Sequence, residues 1–333
     1  MNNKYYPMNS AEVLDQVLAV YKKSFFKQIA VSIIFSIIFF AIAYFLLLIG
    51  MYILLVGLVI GEFAPGTGIG TIINIIAFLI LLILGISMFQ ALTATGNALI
   101  SKHTFFGEYC DVGGILKASF KKILIATSAI LANLIILLPV IAMAAFLVYI
   151  FYIVAIMDFY VAAHAPTIPI IAAFMFLIIL ILALLLICAV ITMMSISVAV
   201  FESRWFFGAV MRSFKLIKPD FIRIMGLFVI WLLITVVLMH SFDIIFYIVS
   251  VLLMYFSPEE AGGVVFLIFF AFSSLFSLII GTIVAPLPGI FSTIIYINQR
   301  FKLEGVDIEF NLSALEVKRK HDDIRASHER GAE

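Results

Sequence analysis

The segment LMHSFDIIFY carries His240 and Asp243 three positions apart inside a long apolar run, a spacing that puts both side chains on one helix face. An ionisable pair at membrane depth usually faces protein or water, where it can relay a proton or contact a substrate. The competing reading starts the span near Ile224, which puts Asp243 about 20 residues on, at the headgroups with ordinary hydration. The second place with chemical potential is GTIVAPLPGI, which holds Gly281, Pro286, Pro288 and Gly289. Two prolines two residues apart remove two backbone donors and disfavour the α conformation before each, so a helix is expected to break there. Pro139 sits in the middle of another apolar run. Asn74, Gln90, Asn97 and Asn133 are single amides, read as interhelical hydrogen-bond partners. Glu202 beside Arg204 reads as a solvated interfacial ion.

Nothing else in the chain has the spacing of a catalytic centre. The five histidines are His103, His164, His240, His321 and His328, and HExxH, CxxC, GxSxG and GxxxxGK[ST] are all missing. Metalloprotease, redox, serine-hydrolase and P-loop chemistry therefore lack their signature residues. Cys110 and Cys188 have no metal-type spacing, and no disulfide framework follows from two such positions. The sequence predicts no enzyme and no cofactor. A net charge of +1, from 20 basic and 19 acidic residues, gives no basic face for nucleic acid.

The elements that must carry these residues are membrane spans. Of 333 residues, 65% are hydrophobic and 12% charged, against roughly a quarter charged in soluble domains. Uncharged stretches run over 29–61, 63–101, 123–157, 159–201, 224–258 (interrupted only by Asp243) and 261–299. About 20 apolar residues cross a bilayer core, so each stretch is one crossing, too short for two plus a turn. Every lysine and arginine falls before the first stretch, between the second and third, between the fourth and fifth, or after the sixth. By the positive-inside rule, both termini and both basic loops are expected on the cytoplasmic side of a cell membrane. The stretches exceed what a crossing of about 30 Å needs, so helices must protrude, kink or bend.

Three stretches before the odd-numbered spans look alike: AVYKKSFFKQI, ILKASFKKILI and AVMRSFKLIKPDFI, with Ser24, Ser119 and Ser213 spaced by 95 and 94 residues. The exits SKHTFFG and ESRWFFG also correspond. The expected fold is an all-α integral membrane protein: six long transmembrane helices in three hairpin repeats, about 9–105, 106–204 and 205–302. A cytoplasmic amphipathic segment precedes each, and a charged cytoplasmic tail follows over 303–333. In the first amphipathic segment Asn9 and Glu12 have capping-box spacing. Leu14, Leu18, Tyr21 and Phe25 recur at helical spacing, with charged residues on the remaining faces, as in a helix lying among the headgroups.

Three longer stretches, AEVLDQVLAVYKKSFFKQI, VFESRWFFGAVMRSFKLIKPDFIRIMG and IIYINQRFKLEGVDIEF, resemble the membrane-domain family named after membrane-anchored glycerophosphoryl diester phosphodiesterases of bacteria. The resemblance rests on Glu202, Arg212, Ser213, Phe214, Lys215 and Leu216, then on Arg300, Glu304, Gly305 and Asp307. It implies a stand-alone membrane domain. The family's hydrolytic barrel, with its histidine and acidic metal ligands, has no counterpart in the roughly 30 residues after the last span, so no phosphodiesterase activity carries over.

The function expected from the sequence is a non-enzymatic scaffold, partner subunit or protective factor. It contacts the lipid bilayer, with a membrane-protein partner or a second copy of the chain left open. The alternative is a transporter or lipid-handling protein using the broken sixth span and the region of His240 and Asp243. Three repeats entering from one side, and an interior almost free of charge, weigh against it.

Overall fold

The computed structural model describes residues 5–63, 68–161, 168–256, 262–309 and 311–312. It is all-α, with no strand among the described residues. In chain order the helices are α1 (Ser10–Phe63), α2 (Gly68–Phe106), α3 (Val112–Val161), α4 (Ile168–Thr192), α5 (Ser195–Glu202), α6 (Phe207–Ile217), α7 (Phe221–Phe256), α8 (Gly262–Val284) and α9 (Leu287–Glu304). Six helical stretches are long and apolar enough to cross a membrane. Large apolar side chains such as Phe40, Tyr44, Phe146, Phe176, Val237 and Phe270 stay exposed along them, as contact with lipid allows and contact with water would not. α1 packs along α2, α2 along α3, α3 against α4, and α7 along α8.

The capping box forms. Asn9 N donates to Glu12 Oε2 at 2.8 Å and Glu12 N donates to Asn9 Oδ1 at 2.9 Å, satisfying two orphan donors at the start of α1. From there α1 runs unbroken for 54 residues, about 80 Å at ~1.5 Å per residue, and the first amphipathic segment is simply its beginning. Val13, Val17, Val20, Ser24 and Gln28 are buried, while Leu18 is 54% exposed. Small and β-branched residues at i, i+4, i+7 and i+11 let neighbouring helices approach closely, so this face meets protein; Leu14 and Tyr21 pack partly against the same cluster, and Leu18 turns outward. The second amphipathic segment likewise continues into α3, which passes Pro139 without ending. Only the third is a separate element: α6 stops at Ile217, a 3₁₀ turn spans Lys218–Asp220 around Pro219, and α7 begins at Phe221.

The matching exits fold differently. SKHTFFG stays helical to Phe106, and Gly107, at φ 73°, ends the helix in the left-handed conformation that glycine adopts without strain. ESRWFFG leaves its helix at Glu202, with Ser203 and Phe206 both at positive φ. The Phe206 amide donates to Ser128 Oγ at 3.1 Å.

The expected break in the sixth span is present: α8 ends at Val284, Ala285 and Pro286 form a turn, and α9 begins at Leu287. A second break, not expected, divides the fourth span at Met193 and Met194, between α4 and α5. Both buried clusters lie toward the helix ends that carry the basic residues. One gathers Val13, Val17, Met194, Val198, Trp231, Ile290, Phe291 and Ile294 around α9, and the other gathers Val31, Phe35, Ala91, Ile100, Ala126 and Val200. Within the first, Trp231 and Phe291 stack at 4.9 Å with an interplanar angle of 6°.

Candidate functional site

At the basic end the turn after α5 folds α6 back so that Arg212 reaches Glu202. Arg212 Nε donates to both Glu202 oxygens at 3.1 and 3.0 Å, and its Nη2 donates to Glu304 at the end of α9. Arg300 Nε donates to the other oxygen of Glu304 at 2.8 Å. Arg204 Nε and Tyr296 Oη donate to Glu202 at 3.0 and 3.2 Å. Glu202 is therefore no solvated surface ion: its side chain is 14% exposed and takes donors from three residues. Of the residues singled out in the sequence, Glu202, Arg212, Arg300 and Glu304 thus form one network, and Gly305 at φ 63° closes α9 beneath it. Asp307 makes no ion pair or hydrogen bond with its side chain among the described residues.

A second network lies beside the first, just outside the apolar stretches. Asp220 accepts from Lys302 Nζ at 2.6 Å and from Gln299 at 3.3 Å, with Arg223 Nη1 at 3.7 Å. Arg223 also donates to Ser10 Oγ and to the Met8 carbonyl, both at 2.9 Å. Asn298 Oδ1 accepts from Met8 N at 2.7 Å. The first residues beyond α9 are docked too: Asn311 exchanges hydrogen bonds with Tyr5 N and O at 3.1 and 2.8 Å. The Lys302 hydrogen bond, with further help from Gln299 and the nearby cations, holds the Asp220 carboxyl below its ordinary pKa despite partial burial. Burial pushes the Glu304 carboxyl up, but the donors Arg300 and Arg212 outweigh it and the net direction is down.

Deeper along the same helices, the two broken spans meet. A cavity of about 210 Å³ is lined by Ala94 and Ala98 of α2, Met193, Ile196 and Ser197 at the first break, Phe228 and Trp231 of α7, and Pro288, Gly289, Phe291 and Ser292 at the second. Ser197 Oγ stands 3.5 Å from Ser292 Oγ and 3.4 Å from Thr293 Oγ1, long contacts that hold neither hydroxyl tightly. Trp231 is 3% exposed and its Nε1 has no hydrogen-bond partner among the described residues. A buried donor left so is costly, and in a native protein it calls for an explanation. The first break is braced by Asn133, whose Nδ2 donates to Ser195 Oγ at 2.8 Å, and by Ser195 Oγ donating to the Thr192 carbonyl at 2.7 Å.

His240 and Asp243 stand apart from this cavity. His240 Nδ1 is 3.3 Å from Asp243 Oδ2 and its side chain is 63% exposed, while Asp243 Oδ1 accepts from Ser277 Oγ of α8 at 2.8 Å. The pair fastens α7 to α8 roughly two turns or more beyond Trp231 along α7. The prolines belong to the cavity and the His/Asp pair does not.

Among the described residues no group of three or more His, Cys, Asp or Glu side chains is placed to hold a metal ion. No protein-family model matches the chain, and no curated protein and no solved structure is similar to it.

Sequence reasoning missed Trp231, Ser197 and Tyr296. Tyr296 stands four residues before Arg300, a helical spacing that could have drawn it into the network. The break at Met193 carries no such signal, since neither glycine nor proline adjoins it.

Proposed function

We propose that the chain is a non-enzymatic, multi-pass protein of the cytoplasmic membrane, with both termini on the cytoplasmic side, that handles lipid or another amphipathic molecule at the junction of its broken fourth and sixth spans. The observation that carries this reading is the cavity itself: two discontinuous helices face each other across about 210 Å³, beside a Trp231 Nε1 that has no hydrogen-bond partner among the described residues. Backbone irregularity at membrane depth is tolerated where protein or a cavity covers it, and paired breaks are a common way of building a substrate site. The mostly aliphatic and aromatic lining suits a hydrocarbon chain, and Ser197, Ser292 and Trp231 offer a few polar contacts. Uncharged lining argues against an ion as cargo. The resemblance to the membrane domains of glycerophosphodiester phosphodiesterases is compatible with this reading, and so is a threefold hairpin repeat. In support of the repeat, Ser24, Ser119 and Ser213 are all buried.

Quenching of tryptophan fluorescence tests the proposal. Trp205 and Trp231 are the only tryptophans, so Trp205→Phe leaves Trp231 as sole reporter. In vesicles of lipid brominated on its acyl chains, Trp231 emission is expected to be quenched although the ring is almost wholly buried. Filling the cavity by Ala98→Leu should relieve the quenching while leaving the protein folded. Unquenched emission in the parent would overturn the reading.

A scaffold or partner-subunit role is the second reading. It is favoured by the exposed aromatics at the basic end, Tyr109 at 88% and Trp205 at 56%. It predicts that cavity-filling variants retain full function and that Tyr109→Ser does not.

A further inference from the structure

One helical turn from the broken-span cavity, toward the basic end, lies a second and smaller one. Ala98, Ser197 and Ser292 line the first; Lys102, Phe201 and Tyr296, each four residues further along, line the second with Phe106, Ile297, Arg300, Phe301 and Val306. Its volume is about 80 Å³, room for several water molecules. Its apolar walls carry an excess of positive charge. Lys102 has no carboxylate or hydroxyl partner among the described residues, and its Nζ sits 5.2 Å from the centre of the Phe201 ring. Arg300 spends Nε on Glu304 and Nη1 on the Tyr296 hydroxyl, which leaves Nη2 without a partner among the described residues. Lys122 donates to the Val200 carbonyl nearby. Among the described residues Glu202, next to Phe201 in the chain, is engaged by Arg204, Arg212 and Tyr296, and Glu304 by Arg212 and Arg300.

We propose that this cavity binds a phosphate group, monoester or diester, through Lys102 and Arg300. The chemistry fits: an ammonium and a guanidinium with unspent donors, converging at a site with apolar walls, make short charge-assisted bonds to phosphate oxygens. The surroundings fit as well. Lys122 and Lys121 stand close enough to add to the charge of Lys102: burial first, and then the neighbouring charges of Lys102 and Lys121, lower the Lys122 pKa. A phosphate could arrive on a lipid headgroup, whose chains would then reach the larger cavity one turn away, or as the free anion. The inference does not depend on the handling of lipid chains at the broken spans, since a free anion would satisfy it.

The test uses the full chain, purified and delipidated in detergent. Its thermal midpoint is followed against phosphatidylglycerol, against inorganic phosphate, and against diacylglycerol, which has the same chains and no phosphate. A rise with phosphatidylglycerol and none with diacylglycerol supports the site with lipid as the source; a rise with inorganic phosphate alone supports it with the free anion as the source. In either case Lys102→Gln should need about tenfold more probe for the same rise. Equal effects of the two lipids with no effect of phosphate, no effect of any probe, or an unchanged response in Lys102→Gln overturns the proposal. Should Lys102→Gln fail to fold, native mass spectrometry of the unmodified protein decides: retention of phosphatidylglycerol or phosphate adducts over diacylglycerol supports the site, and equal retention or none overturns it.

Discussion

Glu202 is the residue on which the basic end converges, and its position tests what the network contributes. Removing one partner of a buried ion pair costs about 3–5 kcal/mol because the other charge is left unpaired. Glu202 keeps some exposure and Arg212 has Glu304 as a second partner, so Glu202→Ala should cost roughly 2 kcal/mol, less than a fully buried pair would. It should appear as a lowered thermal midpoint in detergent, with Glu202→Gln losing less because it still accepts from Tyr296. An unchanged midpoint would mean the network contributes nothing to stability. The carboxylates also set a pH dependence. Asp220 and Glu304 have folded pKa values below their ordinary ones, so their contribution is fully present above the ordinary carboxylate pKa of about 4 and is lost as pH falls through the depressed values. Midpoints measured across that range should fall on acidification, and Asp220→Asn with Glu304→Gln should flatten the fall. The sequence singled out Glu202, Arg212, Arg300 and Glu304 one by one, and nothing in it joined them into one network. Arg212 and Glu304 stand 92 positions apart, and no local spacing reports such a pairing.

Helices entered and left where local chemistry told them to, except where tertiary contacts took over. Asn9 and Glu12 announced the start of α1, and the prolines announced the break before α9, because both act on backbone donors within a turn of themselves. The break at Met193 and Met194 has no glycine or proline to announce it; side-chain bonds flank it, Thr192 Oγ1 donating to the Cys188 carbonyl at 2.9 Å and Asn133 Nδ2 donating to Ser195 Oγ from another helix. Serine and threonine bonding back to the preceding turn are known to bend helices. Asn133→Ala should therefore cost about 0.6–1.7 kcal/mol, the range for interhelical hydrogen bonds in membranes, read as a lower thermal midpoint in detergent. The start of α1 carries two apolar stripes: the valine stripe is buried, while on the other Leu14 and Tyr21 are partly buried and Leu18 is exposed. Periodicity alone does not say which stripe meets protein and which meets lipid. The paired prolines allow a sharper test. Replacing Pro286 and Pro288 with alanine permits a continuous α8–α9 helix, which lipid favours. Insertion should survive, while quenching of Trp231 by brominated lipid should drop, because Pro288 and Gly289 would no longer frame the cavity. Quenching that persists unchanged would detach the break from the cavity's function.

Six crossings follow from composition, since uncharged stretches of this length have no other stable home, and the described helices match them. Which side the basic end faces is a separate matter, carried by the charge asymmetry alone. The structure sharpens the experiment that decides it. Ser119 and Ser213, in the basic segments, are fully buried, so a cysteine there would stay unlabelled on either side of the membrane. Tyr109, 88% exposed between α2 and α3, and Trp205, 56% exposed between α5 and α6, are the informative positions. Their counterparts are Thr67 and His164, in the acidic or uncharged connections that lie outside the described residues. In a background lacking Cys110 and Cys188, single cysteines at Thr67 and His164 should react with an impermeant thiol reagent added to intact cells, and cysteines at Tyr109 and Trp205 only after the membrane is opened. The opposite pattern would invert the protein and put the phosphate site beneath Lys102 on the outer face. Labelling of Thr67 and Tyr109 from the same side would remove the second crossing, and with it the pairing of α1 and α2 across the bilayer.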